Sequence, residues 1–387
     1  MKGWLRSLFA CALCAGALGA QRVWTVTAPD PVQPVIDAAA PGDRIELSEG
    51  VFTNFRFEKG LTIVGSGIAS TVLRRVDIAN LPASQAAVLS NAWCTDLWAQ
   101  QCAGSLVLDR LQVGVPESIN VGSIEIHDCL RVHVRDTIGA GLLMPFSPPH
   151  GNPAIRASGS TLVLERCSLY GSINLHDGTS AIDLTDCALI AVDCFLRGGP
   201  AGRYFDPFAW LWTYGTPAPA LRARGTDVLV LGRSRLEGGR YPTGGVGTSV
   251  VTQRPARLAD DVVLFGDWSG SRRIPKQPVL SVANESEWGA TTRVAIRGRP
   301  GDLAALFLDV TLGGPLLLAG SETPYFLTGS AELIEVTTLD GLGDGSFTLR
   351  LPALPTAVQG AVFLQAFDAS PATRSLSASA PVSLIVR

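Results

Sequence analysis

His150, His176, Asp177 and Asp206 are the side chains whose types and placement in the 387-residue chain suit cleavage of glycosidic bonds. Two carboxylates, or a carboxylate and an imidazole, do general acid–base work on a sugar when they share one groove within about 10 Å. These four fall in three Gly/Pro-rich stretches, Leu142 to Pro153, His176-Asp177-Gly178 and Gly199 to Pro219. The last stretch also carries Arg203, Tyr204, Phe205, Phe208, Trp210, Trp212 and Tyr214. Aromatic rings at this density offer flat faces to sugar rings, so Arg203, Tyr204, Trp210, Trp212 and Tyr214 are the candidate glycan contacts. The same composition suits a hydrophobic lid, and the two readings weigh equally here. No GxSxG elbow, HExxH pair or P-loop occurs, which leaves serine hydrolase, zincin and NTPase chemistry unsupported. Zinc-type Cys/His spacing is also missing, and no metal site is assigned.

An internal repeat must position these stretches. Four segments share two short apolar-x-apolar strands and a small residue three positions after the second. They are Ile124-x-Ile126 with Val132-x-Val134 and Thr137, and Ile155-x-Ala157 with Leu162-x-Leu164 and Cys167. Ile182-x-Leu184 with Leu189-x-Ala191 and Cys194 follows, then Leu221-x-Ala223 with Leu229-x-Leu231 and Ser234. A partial copy has Leu106-x-Leu108 and Leu111. Units this short cannot bury an inner face alone, but stacked coils bury a continuous core. The expected fold is therefore all-β, a parallel β-helix, with the three stretches inserted along one edge. Leu164, Ala191 and Leu231 should stack inward.

Six cysteines lie beyond residue 20. Cys129 and Cys187, with Ser160 and Thr226, follow first strands by three positions, while Cys167 and Cys194 follow second strands. Columns of small residues inside a solenoid explain all four cysteines. Cys94 and Cys102 flank a short segment and are expected to form a local disulfide in an oxidising compartment. Trp93 and Trp98, in the same Asn91 to Ala103 insertion, would make a second aromatic platform.

From Pro34 onward, PVIDAAAPGDRIELSEGVFTNFRFEKGLTIVGSG resembles the N-terminal cap of right-handed parallel β-helix proteins of the pectate-lyase-like superfamily. The resemblance implies a helix over roughly residues 31–40 that plugs the open end, then a Pro41-Gly42-Asp43 turn and a first strand at Ile45-x-Leu47. It covers about residues 30 to 277. That superfamily includes lyases, hydrolases, epimerases and non-catalytic surface proteins, so it specifies fold more than activity. From residue 278, alternating strands such as Val294-x-Ile296, Ala305-x-Phe307-x-Asp309, Phe347-x-Leu349-x-Leu351 and Val382-x-Leu384-x-Val386 read as a β-sandwich. The segment FLQAFDASPATRSLSASAPVSLIV is similar to a C-terminal module of secreted bacterial proteins, expected to attach to carbohydrate or to cap the solenoid. The domains are thus 1–20 leader, 21–277 β-helix and 278–387 sandwich.

Lyases of that superfamily bind calcium through clustered carboxylates, so the outward columns matter. One runs Glu125, Arg156, Asp183, Arg222 and another Arg110, Asp136, Arg166, Asp193, Arg233. Both alternate in sign, which describes a salt ladder rather than a calcium site. A third column, Val107, His133, Val163, Ile190, Val230, is apolar and needs covering by a loop, the C-terminal domain or a partner. His133 there reads as a packed histidine. Residues 222–276 hold ten Arg/Lys against five Asp/Glu, an excess that favours anionic polysaccharides.

Hydrophobic residues make up 47% and charged residues 17%, which excludes a disordered chain, and a net charge of -3 excludes a generally basic nucleic-acid binder. Lys2, Arg6, an apolar run to Ala17 and Ala17-Leu18-Gly19-Ala20 form a secretory leader cleaved near Gly19 to Gln21. The expectation is an exported protein that binds glycan or a cell-surface partner without an intact catalytic site or cofactor. The alternative is a polysaccharide lyase or glycosidase using His150, His176, Asp177 and Asp206, with Ca2+ only in the lyase case. Oligomeric state is not legible.

Overall fold

Between Val23 and Ile274 the chain winds as a solenoid of parallel strands that stack in three ladders, called here the first, second and third sheets. The computed structural model describes residues 21–114, 122–141, 152–172, 177–206, 211–283, 285–287, 289–309, 312–316, 324–327, 331–351, 360–371 and 375–386. Residues 1–20, read above as a leader, lie outside them. A representative coil has strands Ile155–Ser158, Thr161–Glu165 and Ser168–Tyr170. Each pairs in parallel with its counterparts in the coils before and after. Ile155, Ile182 and Leu221 stack inward on the first sheet, and Leu162 and Leu189 on the second, because alternate residues of a strand face one side. The third strand is a short x-Leu-x unit whose inner row is Leu169, Leu196, Leu236 and Leu264.

Left-handed residues turn the corners, two per coil. Asn80, Gln101, Asp128, Gly159, Asp186 and Gly225 end first strands, and Asn91, Arg110, Asp136, Arg166, Asp193 and Gly232 end second strands. Asn, Asp and Gly tolerate this conformation best. The second charge ladder is therefore a column of turn residues, where Arg166 grips Asp136 of the preceding coil through Nε and a second nitrogen, each at 2.7 Å. One expectation fails by a single residue. Arg233 is an extra turn residue after Gly232, so Val230 rather than Leu231 stands opposite Ala191, and Leu229 stands opposite Ile190.

The small-residue columns form as expected. The backbone N–H groups of Cys129, Cys187 and Cys194 donate to the hydroxyls of Ser160, Thr226 and Ser234 in the next coil. Cys94 and Cys102, however, are separate buried thiols. Their intervening residues are no insertion, since strand runs from Ala86 to Gln100. Cys94 stands beside Leu73 and Val113 inside the third sheet, whereas Cys102 belongs to the column of Cys129, so the two sulfurs enter different rows of the core. Burial pushes the Cys94 thiol up to about 12.

At the N-terminal end, helix α1 (Gln33–Ala38) buries Ile36 against the core cluster and bonds through Gln33 to Arg56, while a strand Val23–Val26 that the sequence did not suggest pairs with Arg44–Leu47. At the other end Arg273 donates to the carbonyls of Ala259 and Val262 at 3.0 and 2.8 Å, closing the last coil.

From Val279 the described residues form mainly antiparallel sheets, one of three strands, one of six and one of two, with a core of Leu280, Val294, Ile296, Phe347, Leu306 and Leu364. On the strand Leu303–Asp309 it is Ala304, Leu306 and Leu308 that enter this core, while Phe307 is half-buried with its ring 5.4 Å from that of Phe367. Val382–Val386 is buried at every position: Val382, Leu384 and Val386 face the unit's own core and Ile385 joins the solenoid's. A strand covered on both faces loses its alternation. This unit docks on the solenoid's flank, over the second sheet. Arg135 donates to the Ser383 carbonyl, Arg297 lies 3.6 Å from Asp193, and Pro324 and Phe326 face Ile190 and Leu229 across a cavity of about 190 Å³. The apolar stripe Val107, His133, Val163, Ile190 and Leu229 is accordingly buried throughout. No helix among the described residues is long and apolar enough to cross a membrane.

Candidate functional site

The inserted loops leave each coil after the third strand, at a column of glycines: Gly141, Gly171, Gly198, Gly238 and Gly266. Glycine is required because the returning backbone lies against it. A Cβ at Gly171 or Gly198 would sit 1.8 Å from the Thr179 carbonyl oxygen or 1.9 Å from that of Ala218. The loop bases then stack on one another: Thr179 donates to Ser172, Gly199 to Thr179, Ala218 to Gly199 and Gly239 to Ala218, all backbone to backbone. The solenoid therefore has one edge built for insertions, as expected.

Of the four expected acid–base residues, His150 and His176 lie outside the described residues. Asp177 is engaged structurally. One carboxylate oxygen accepts from both the backbone and the hydroxyl of Thr216, each at 2.7 Å, tying its loop to the base of the next. Asp206 ends the strand Arg203–Asp206, which pairs antiparallel with Leu211–Tyr214. That pairing makes the aromatic stretch a hairpin, with Phe205 opposite Trp212, Tyr204 opposite Thr213 and Arg203 opposite Tyr214. Tyr214 is 47% exposed, while Trp210 lies outside the described residues.

Beside this edge runs a surface that the two-strand repeat does not reveal, the outer face of the third sheet. Successive coils place Tyr170, then Phe195 and Arg197, then Arg235 and Glu237, then Phe265 in register. Tyr170 meets Phe195 edge-on with centroids 5.6 Å apart. The Arg235 guanidinium lies 5.7 Å from the Phe195 ring centre and 4.2 Å from that of Phe265. Glu237 contacts Arg235 and lies 3.6 Å from Arg197. The signal was present as small-x-Leu-x-Gly: Cys167-Ser168-Leu169-Tyr170-Gly171 and Cys194-Phe195-Leu196-Arg197-Gly198.

The first sheet's outer face carries the expected ladder, with Arg156 in register with Glu125 and Asp183 and 3.4 Å from the former. Trp98 joins this column and Trp93 faces out from the third sheet, so the two do not form one platform. Trp98 is flanked by the Arg75 guanidinium at 5.0 Å and the His127 ring at 6.4 Å. Burial raises the pKa of Asp96 nearby, with Glu125 and Asp77 adding to the effect and Arg75 opposing it. No group of three or more potential metal ligands occurs among the described residues. His133 is buried under the C-terminal unit, its Nε2 3.3 Å from Glu165 but not aligned for a hydrogen bond.

No family model matches the chain, and no curated protein matches it. Among solved structures, a superoxide reductase (neelaredoxin) from Ignicoccus hospitalis is similar over 29% of this chain and 80% of its own, at 11% identity and a TM-score of 0.19. The tailspike protein gp49 from Acinetobacter baumannii bacteriophage Fri1, a capsular polysaccharide depolymerase, is similar over 92% of this chain and 86% of its own, at 8% identity and a TM-score of 0.25. Likenesses this slight bear on neither fold nor function.

Proposed function

We propose that the chain is an exported glycan-binding protein, a right-handed parallel β-helix over residues 21–277 with α1 as its cap and a β-sandwich over residues 278–387. The ligand site is the loop edge, with the hairpin Arg203, Tyr204, Trp212 and Tyr214 and the adjoining Trp210 as its aromatic platform. One observation carries this reading. The lid role that competed for these aromatics is already filled, because the C-terminal unit covers the apolar stripe. An acid–base role for Asp177 is disfavoured by the two hydrogen bonds that it accepts from Thr216, so binding ranks above cleavage. Export follows from the leader read in residues 1–20.

Replacing Trp210 and Trp212 together by Ala is expected to weaken glycan binding about tenfold, since each stacked ring is worth on the order of 1 kcal/mol. The melting temperature should stay within about 2 °C of the parent, because surface changes seldom move stability by more than roughly 0.5 kcal/mol. Both quantities are measured on one sample. Unchanged binding removes the platform, and a large fall in melting temperature returns these residues to a packing role.

A further inference from the structure

We infer that the outer face of the third sheet is a second part of the same glycan site, one that takes a linear acidic polysaccharide lying along the solenoid axis. The inference rests on the glycan-binding reading and assigns its ligand class. Arg197 and Arg235 come from adjacent coils and are 36% and 47% exposed at their side chains, whereas the Glu237 carboxylate that touches both is 7% exposed. A buried carboxylate thus holds two guanidiniums side by side with their outer edges in solvent. Each guanidinium has five donors in a rigid fork that suits carboxylates, and Glu237 occupies only part of that capacity. Two cations against one anion leave the pair net positive.

The rings complete the arrangement. Phe195 and Phe265 hold the Arg235 guanidinium between them, so it is already ordered before any ligand arrives. Phe265 is 41% exposed at the end of the row. Successive coils repeat at about 4.8 Å, close to the rise per ring of an extended β-linked chain. A glycan can therefore present one ring to each coil and an acidic group to each guanidinium. The surroundings have the same sign, since residues 222–276 carry ten Arg/Lys against five Asp/Glu. Arg224, Arg233 and Arg240 are exposed among them. The face continues directly into the loop edge through Gly171, Gly198 and Gly238.

The test titrates uronic-acid oligosaccharides of increasing length, with neutral cello-oligosaccharides of the same lengths as a second arm. Binding to the uronates should strengthen with length to about four rings, one per coil from Tyr170 to Phe265, and weaken with added salt. Arg235→Gln should lose about tenfold for the uronates, the size of a charge-assisted hydrogen bond, and little for any neutral chain. Glu237→Gln should not reproduce that loss, because both guanidiniums remain. Circular dichroism melting on each variant separates unfolding from lost contacts, and Arg197→Gln stands in if Arg235→Gln does not fold. Uronate binding unchanged in a folded Arg235→Gln or Arg197→Gln overturns the inference, as does equal affinity for neutral and acidic chains. If the arginine variants lose binding while the Trp210/Trp212 variant does not, the hairpin platform fails and the third-sheet site stands. The reverse pattern keeps the platform and removes this site.

Discussion

Arg135→Ala is expected to lower unfolding stability by about 3 kcal/mol and to loosen the C-terminal unit from the solenoid. Arg135 is fully buried, its Nε 2.7 Å from Asp109, which is also fully buried, and it donates to the Ser383 carbonyl across the junction. Truncation removes one of two guanidiniums serving Asp109, leaving that of Arg110 at 3.0 Å, and deprives a buried carbonyl of its donor. A carboxylate taken out of water and then stripped of a partner is costly, whereas an apolar pair of similar shape avoids the desolvation cost. The double variant Arg135→Met with Asp109→Leu should therefore recover most of the loss. Urea unfolding followed by tryptophan fluorescence reads both. A single variant within about 0.5 kcal/mol of the parent would mean that the ion pair does not anchor the junction.

The second expected effect is a fall in stability with rising pH, centred in the C-terminal unit. Burial, together with the neighbouring Asp302 carboxyl, raises the Asp368 pKa to about 7, and both side chains belong to buried residues. An unfolded Asp titrates near 3.9, so between about pH 4 and pH 7 the folded state holds a proton that the unfolded state has released. The stabilisation is complete below about pH 4 and is lost as pH rises through the folded value. The loss should amount to a few kcal/mol. Asp368→Asn keeps the shape and removes the charge, so the variant should match the parent at pH 4 and exceed its stability at pH 8. Parallel pH profiles for the two proteins would exclude a proton held on Asp368.

The solenoid was legible because its constraint is repetitive. Apolar-x-apolar pairs such as Ile155-x-Ala157 and Leu162-x-Leu164 recur, and the inner column of Cys129, Ser160, Cys187 and Thr226 falls where the spacing places it. The third strand escaped notice because it offers a single inward residue, Leu196 or Leu236, too little to show alternation. The slip at Leu231 has a local cause, one added residue in a turn. The Cys94 and Cys102 expectation failed because closeness in sequence carries no information once a corner of the coil separates two rows. Alternation in the C-terminal unit misled at Ala305 and Phe307, which are half-buried on one face while Ala304, Leu306 and Leu308 enter the core from the other. The loop edge was legible as an interruption of the repeat, and the glycine column explains why insertions gather there. The charged stripe beside it was not, since its residues become neighbours only through the register of four coils.

The central claim is that this protein holds a linear glycan, and the most direct measurement is a glycan array probed with the chain from residue 21 onward at low and high salt. The account predicts retention of linear acidic glycans over neutral ones of equal length, with the signal falling steeply as salt screens the arginines. Absence of any glycan retained above background at low salt, from protein shown to be folded, would contradict it.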